Sequence, residues 1–186
     1  MQISADLIQG KVFASNLCMQ DLELQFNSLV RRYSEPLYWH VRSMVGSHED
    51  ADDLMQEIFI KVWKALPDFR GDSDAFTWLW RIATNETVSF LRKARVRAAL
   101  SFSRLDDDAL RISDPSPSID GNAAMRALRK AVMKLPDKQR LVFVMRYWQE
   151  LSYEQISEIT GTSVGALKAS YHIAYEKIKA FLDHND

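Results

Sequence analysis

The sequence is poor in the residues that interrupt or cross-link a chain. It has one cysteine, Cys18, six glycines and five prolines in 186 residues. A lone thiol excludes an internal disulfide and fits a reducing compartment, so a cytoplasmic location is expected. So few turn-formers exclude a turn-dense all-β fold. Cys18 and the four histidines (His40, His48, His172 and His184) are too scattered for metal-ligand spacing, and no metal or other cofactor is expected. No apolar run approaches the ~20 residues that span a bilayer, so no membrane insertion is expected. The opening stretch MQISADLIQGKVFASN lacks the positive leader of a secretory signal. A nucleophile–base pair, a paired-carboxylate site and a phosphate loop are also missing, which argues against an enzyme.

The chain is also short of net charge, at −1, which taken alone argues against a nucleic-acid binder. The distribution reverses that reading. Net charge runs −2, +1, −3 and +3 over residues 1–25, 26–97, 98–122 and 123–186. Within residues 78–97, five bases (Arg81, Arg92, Lys93, Arg95 and Arg97) oppose only Glu86. Positive charge is concentrated on one predicted helix.

Helical periodicity dominates what remains. A first block over residues 22–97 reads as three helices, about 22–45, 48–66 and 74–95. Ser47-His48-Glu49-Asp50 supplies a start for the second, Pro67 stops it, and Asp72 or Ser73 can cap the third. Residues 98–122 lose periodicity and carry Asp106 to Asp108, DPSPS and Asp-Gly, the composition of a flexible acidic linker. A second block over 123–182 reads as four helices, about 123–134, 137–148, 153–160 and 163–182. Residues 1–21 form an N-terminal extension and 183–186 a tail. The expected fold is all-α: two small helical domains on a flexible linker.

In the second block, Ser152-Tyr153-Glu154-Gln155 forms a capping box, Gly161 sits where a helix closes in the left-handed conformation, and Thr162 or Ser163 caps the next helix. That last helix buries Leu167, Tyr171, Ala174, Ile178 and Phe181 and presents Gly165, Lys168, Ala169 and His172 on its early outer face. Short helix, glycine turn and longer helix is the helix-turn-helix pattern, whose second helix enters a major groove. This face offers one sure cation, Lys168, beside His172, so the domain alone should bind DNA weakly. Lys138, Arg140, Arg146, Lys177 and Lys179 are candidates for added phosphate contacts.

In the first block, ADDLMQEIFIKVWKAL places Leu54, Ile58, Val62 and Leu66 on a core stripe and leaves Asp53, Gln56, Glu57 and Lys61 off it. DAFTWLWRIATNETVSFLRKARVR carries two stripes. Phe76, Leu79, Trp80, Ala83, Thr87, Phe90, Leu91 and Ala94 face a core. Trp78, Arg81, Asn85, Ser89 and Arg92 share the outer face. An aromatic plane for stacking, cations for phosphate and an amide or hydroxyl for a base edge suit a single strand of DNA; the alternative is that Trp78 packs against the 22–45 helix and only Arg81 and Arg92 meet phosphate.

Four motifs in order (D-D-L-M-Q-E-I-F-I-K-V-W, F-R-G-D-S-D-A-F-T-W-L-W-R-I-A-T-N, L-P-D-K-Q-R-L-V-F-V-M-R-Y and L-S-Y-E-Q-I-S-E-I-T-G-T-S-V-G-A-L-K) resemble bacterial RNA polymerase sigma factors of the extracytoplasmic-function type, over about residues 22–182. The resemblance implies a transcription initiation factor with sigma regions 2 and 4, core RNA polymerase and promoter DNA as partners, and an anti-sigma factor as a further one. It implies that Asp53, Gln56, Glu57 and Phe59 dock on the β′ clamp helices and that region 4 meets the β flap. Phe69, Arg70, Asp72, Ser73, Trp78, Arg81, Asn85, Ser89 and Arg92 match the −10 element's recognition and melting surface. Ser163, Gly165, Lys168, Ala169 and His172 match the −35 surface, although Ile173 and Tyr175 stand where the family often has basic residues. The competing reading is a stand-alone helix-turn-helix regulator with an N-terminal sensing domain, in which the D-L-M-Q-E helix and an outward Trp78 would have no purpose.

Overall fold

A computed structural model describes residues 3–69, 74–101 and 123–184. Among these residues the regular structure is helical throughout. The elements are α1 (Ile3–Val45), α2 (His48–Ala65), a 3₁₀ turn (Leu66–Asp68), α3 (Ala75–Ser101), α4 (Ala123–Met133), α5 (Asp137–Phe143), a π-helical turn (Val144–Trp148), α6 (Tyr153–Thr160) and α7 (Val164–Asp183). The start and stop signals act as expected. Ser47 caps α2 by accepting from Asp50 N at 3.2 Å, and Pro67 enters the 3₁₀ turn just past its end.

Two boundaries differ from the sequence expectation. α1 runs back to Ile3 instead of starting near residue 22, and α3 continues to Ser101, four residues into the stretch read as linker. The rest of that linker, residues 102–122, lies outside the described residues. The expected single helix over 137–148 tightens and then widens: α-helical bonding to Phe143 gives way to the π turn, which feeds Trp148 and Gln149 toward the first unit.

The first unit packs α1, α2 and α3 around one seam. Tyr33, Leu37, Val41 and Met44 of α1 meet Leu54, Ile58 and Val62 of α2 and Leu79, Trp80 and Ala83 of α3. Trp80 is the largest fully buried side chain, with its ring stacked 4.0 Å from Phe76 and edge-on to Tyr33 at 6.0 Å. Truncating a buried aromatic of this size typically costs about 3–5 kcal/mol. The second unit closes α4 to α7 around Val132, Phe143, Met145, Ile156, Leu167, Ala174 and Ile178. The two units do not stand apart. Their buried residues form one continuous apolar cluster, with α6 lying on α3 and the π turn on α1.

Among the buried polar groups is His40, which is 0% exposed. Its Nε2 lies 3.4 Å from Thr84 Oγ1, while Nδ1 has no hydrogen-bond partner. A second ring proton would place a charge in a fully buried site, a cost that the nearby Gln149 side chain offsets only in part. Burial pushes the His40 pKa down to about 4. The unfolded chain takes up this proton near pH 6.5, whereas the folded chain refuses it until about pH 4. The stability it contributes is complete above pH 6.5, is lost as pH falls across that window, and is flat below it. Wild type should lose about 3 kcal/mol more than His40→Gln between pH 7 and pH 4. Urea midpoints of both chains at each pH measure the difference.

Candidate nucleic-acid interface

The outer face of α2 presents Asp53, Gln56 and Glu57, all exposed. At 100° per residue they bracket Ile60, which is 54% exposed and which sequence reading passed over. An apolar side chain ringed by polar ones suits docking against another helix: the centre supplies burial and the rim supplies register. The signal was present in the sequence, since Ile60 falls off the Leu54–Ile58–Val62 stripe. Phe59 sits at the edge of this face and is half-buried, with its ring edge-on to Phe26 of α1 at 6.2 Å. It supports this exposed face of α2 from behind more than it projects from it.

The outer stripe of α3 is real. Arg81, Asn85 and Arg92 are exposed, and Ser89 is half-buried beside them. From Trp78 to Arg92 the row is about 21 Å long at 1.5 Å per residue. That matches about six nucleotides of a strand stacked at 3.4 Å. Trp78 is half-buried, and its ring lies 4.6 Å from Phe69 at a 33° tilt. The tryptophan thus neither points freely into solvent nor disappears into the core. It pairs with Phe69, forming a two-ring platform at one end of the row. Arg70, Asp72 and Ser73 lie outside the described residues. The inner stripe is broader than periodicity suggested, because Thr77 and Thr84 are buried with Thr87. Thr87 is satisfied by donating to Ala83 O, a helix-internal bond that lets a hydroxyl enter a core.

Ser89 and Arg92, with Lys93 and Arg97, line a groove of about 590 Å³ whose other wall includes Glu57. Across it, Lys61 of α2 pairs with Glu86 of α3. Glu57 of α2 and the basic residues of α3 therefore line one groove.

In the second unit the helix-turn-helix geometry is as expected. Ser152 accepts from Gln155 N at 3.1 Å, and the Gln155 side chain accepts from Ser152 N at 2.9 Å. Gly161 takes φ +67 and closes α6 by donating to Ser157 O. Of the two candidate caps it is Ser163 that begins α7, accepting from Ala166 N. Gly165, Lys168, Ala169 and His172 are all exposed, and the Lys168 ammonium lies 5.6 Å from the Tyr153 ring centre. Ile173 and Tyr175 are also exposed, at 46% and 51%, so their departure from basic residues falls on open surface.

Two of the cations expected to reach phosphate are engaged elsewhere. Arg140 is 7% exposed and donates from Nη1 to Met44 O at 2.6 Å and from Nη2 to Met133 O at 2.7 Å and Leu135 O at 3.1 Å. Its guanidinium occupies the carbonyl-rich ends of α1 and α4, where the helix dipoles favour positive charge. That burial also lowers its pKa from the usual arginine value. Arg146 is half-buried, donates to Leu151 O and lies over Tyr153. Lys138, Lys177 and Lys179 remain exposed, with Lys177 Nζ donating to Gln139 Oε1 at 3.0 Å. Periodicity could not foresee the capture of Arg140, because it depends on the packing of α1's end, Met44 O, beside the carbonyls of Met133 and Leu135.

Among the described residues no group of three or more His, Cys, Asp or Glu side chains is placed to hold a metal ion, and no helix is long and apolar enough to cross a membrane.

Comparison with known proteins gives one consistent result. The sequence pattern of Sigma-70 region 2 matches residues 29–97, and that of Sigma-70 region 4 matches residues 125–178. The chain is 33% identical over 165 residues to the ECF RNA polymerase sigma-E factor of Escherichia coli K12, covering 82% of this chain and 84% of that protein. It is 30% identical over 165 residues to the ECF RNA polymerase sigma factor SigW of Bacillus subtilis, covering 83% and 87%. In fold it matches the sigma factor RpoE, solved in complex with the anti-sigma factor NepR from Bartonella quintana, with a TM-score of 0.72 at 23% identity, over 86% of this chain and 97% of that one. It also matches CnrH, solved in complex with the cytosolic domain of CnrY, with a TM-score of 0.64 at 25% identity, over 88% and 91%.

The two glycines of the helix-turn-helix should respond in opposite directions. Gly161→Ala forces a Cβ into the left-handed region and should lower stability by about 1–2 kcal/mol. Gly165 is helical and has nothing within 4 Å of an added Cβ, so Gly165→Ala should raise stability by up to about 1 kcal/mol. Urea denaturation of both variants checks the pair.

Proposed function

The chain belongs to the extracytoplasmic-function RNA polymerase sigma factors, transcription initiation factors that direct RNA polymerase to promoters, and we propose how that task is divided among its surfaces. Residues 22–97 form the region 2 domain, 98–122 the linker and 123–182 the region 4 domain. The factor acts without catalysis of its own, in the cytoplasm with the polymerase and the chromosome.

The observation that carries this reading is the shared groove, in which Glu57 of the docking helix faces Ser89 and Arg92 of the basic helix. A surface that holds polymerase beside a surface that holds one DNA strand places the strand where polymerase can receive it. Asp53, Gln56, Glu57 and Ile60, supported by Phe59, dock on the β′ clamp helices. Arg81 and Arg92 hold phosphates, Asn85 and Ser89 face base edges, and the Phe69–Trp78 platform stacks against the first unpaired base of the −10 element, which Arg70, Asp72 and Ser73 also contact. Stacking on an aromatic is worth about 1–3 kcal/mol per base, comparable to the few kcal/mol needed to unstack one step. Nucleating the opening therefore needs no nucleotide hydrolysis by this chain.

Ser163, Gly165, Lys168, Ala169 and His172 read the −35 element from the major groove. With few cations on that face, affinity arises from tethering both domains on polymerase, with region 4 at the β flap, which raises the effective concentration of each weak reader. An anti-sigma factor is a further partner, in keeping with the complex of RpoE with the anti-sigma factor NepR.

Core polymerase supplemented with the chain should give promoter-specific run-off transcripts. Glu57→Lys should abolish polymerase binding while circular dichroism remains that of wild type; unchanged binding would remove the docking assignment. Trp78→Ala should lower transcription from a duplex promoter at least tenfold more than from a pre-melted one, and equal loss on both templates would refute the melting role.

A further inference from the structure

At the corner where α1 turns into α2, the Tyr38 hydroxyl is hydrogen-bonded to His48 Nδ1. The two residues stand on different helices, and no spacing rule in the sequence announces the pair. Their rings meet edge-on at 90° with centres 5.9 Å apart, and Trp39 also packs edge-on against the phenol at 5.4 Å. The other ring nitrogen, Nε2, lies 3.6 Å from Asp52 Oδ2, one turn along α2. That carboxylate favours a proton on Nε2, which leaves Nδ1 as the acceptor and makes Tyr38 the donor. The Asp52 contact is long for a hydrogen bond but close enough to steady a charged imidazole. A hydroxyl on an imidazole nitrogen, with a carboxylate behind the ring, is the arrangement of a nucleophile, its base and the group that orients the base.

The phenol needs such a base. Burial and the Asp52 carboxylate push the Tyr38 pKa above the usual tyrosine value, against a smaller downward pull from Arg42. The hydroxyl therefore keeps its proton at neutral pH and attacks only when a neighbour removes the proton during the reaction. His48, already hydrogen-bonded to it, is placed to do so. Tyr147 and Tyr175 are more exposed, at 50% and 51%, yet among the described residues no hydrogen bond joins either to a histidine.

Charge at this corner selects the reactant. Glu49, Asp50, Asp52 and Asp53 stand in the first turn and a half of α2, and Arg42 beside the phenol answers one of them. An anionic acyl donor is repelled from such a field, whereas a neutral ester is not. The His48 and Asp52 side chains are 70% and 52% exposed, so a reactant reaches the imidazole without any movement of the fold.

We propose that Tyr38 is an acyl-acceptor site, activated by His48 and steadied by Asp52, that takes the acyl group of a neutral ester. The Tyr38 oxygen bonds to the acyl carbon as its proton passes to His48 Nδ1. The ester C–O bond then breaks, and the departing alcohol oxygen takes that proton from the ring. An O-acyl tyrosine and a free alcohol result, with no change of oxidation state. The acylated residue has lost its hydroxyl donor, so modification parts Tyr38 from the first residue of the helix that carries Asp53, Gln56 and Glu57.

The test treats the full chain with p-nitrophenyl acetate and follows each tyrosine by peptide mass mapping. Tyr38 should be acetylated at least about tenfold faster than Tyr147 and Tyr175 of the same chain, although both are more exposed. His48→Gln, which keeps an acceptor for the phenol but no base, should bring Tyr38 down to their rate. Asp52→Asn should slow it by less. With acetyl phosphate, an anionic donor, the ratio of Tyr38 to Tyr175 labelling should be lower than with the neutral ester. Labelling of Tyr38 no faster than Tyr147 and Tyr175 overturns the site, and this comparison within one chain needs no variant. Unchanged labelling in His48→Gln overturns the role of the base, and a higher ratio with acetyl phosphate overturns the selection by charge. An acetyl group on His48, with Tyr38→Phe reacting as fast as wild type, would make the imidazole the acceptor and overturn the assignment to Tyr38.

Discussion

The indole of Trp80 is the point on which the rest of the molecule depends. It is stacked on Phe76 and edge-on to Tyr33 and lies 6.3 Å from the His40 ring, so it fastens α3 to α1. Its one polar atom, Nε1, is spent on Gln149 of the other unit. Apolar faces of a tryptophan stabilise one core while its N–H specifies a partner outside it. Because Trp80 is clamped, its neighbours Trp78 and Arg81 are held at fixed angles on the far side of the helix. The functional row inherits its geometry from the buried one.

The same economy governs the polar groups in the interior. Thr87 turns its hydroxyl back on Ala83, Thr84 meets His40, and Arg140 gathers three carbonyls. Acceptors one turn back or at helix ends make the burial of Thr87 and Arg140 tolerable, and the His40 ring of α1 does so for Thr84. Arg140 has no buried carboxylate bonded to it and is held by helix-terminal carbonyls, which is why it can join two units without a fixed counter-ion.

Much of this was legible in the sequence, and the pattern of success is physical. Ser47, Ser152, Gln155, Gly161 and Ser163 act within four residues of themselves, so local reasoning found them. The two stripes of α3 and the exposed faces of α2 and α7 follow from a 100° repeat. What local reasoning could not find depends on partners far along the chain. Phe59 is drawn toward Phe26, Trp78 leans on Phe69, and Arg140 leaves the surface for Met44 O. Arg81 was rightly placed outward, yet the nearest acceptor outward is Glu158 O, 77 residues away. Ile60 is the exception, since an isoleucine off the core stripe could have been read as an anchor. The extension of α1 back to Ile3 had no cap to announce it, because helix propensity without a stop signal leaves an end undetermined.

The sparse charge on α7 has a consequence in ionic strength. Each phosphate neutralised by a lysine or arginine releases condensed counter-ions and steepens the fall of affinity with salt. In the proposed −35 role, a face whose one sure cation is Lys168, flanked by exposed Ile173 and Tyr175, releases few. Its discrimination among sequences must then come from base edges and shape, contributions that salt screens little. Such a reader keeps its preference when the salinity inside the cell rises, a condition under which a more basic helix would lose grip and specificity together.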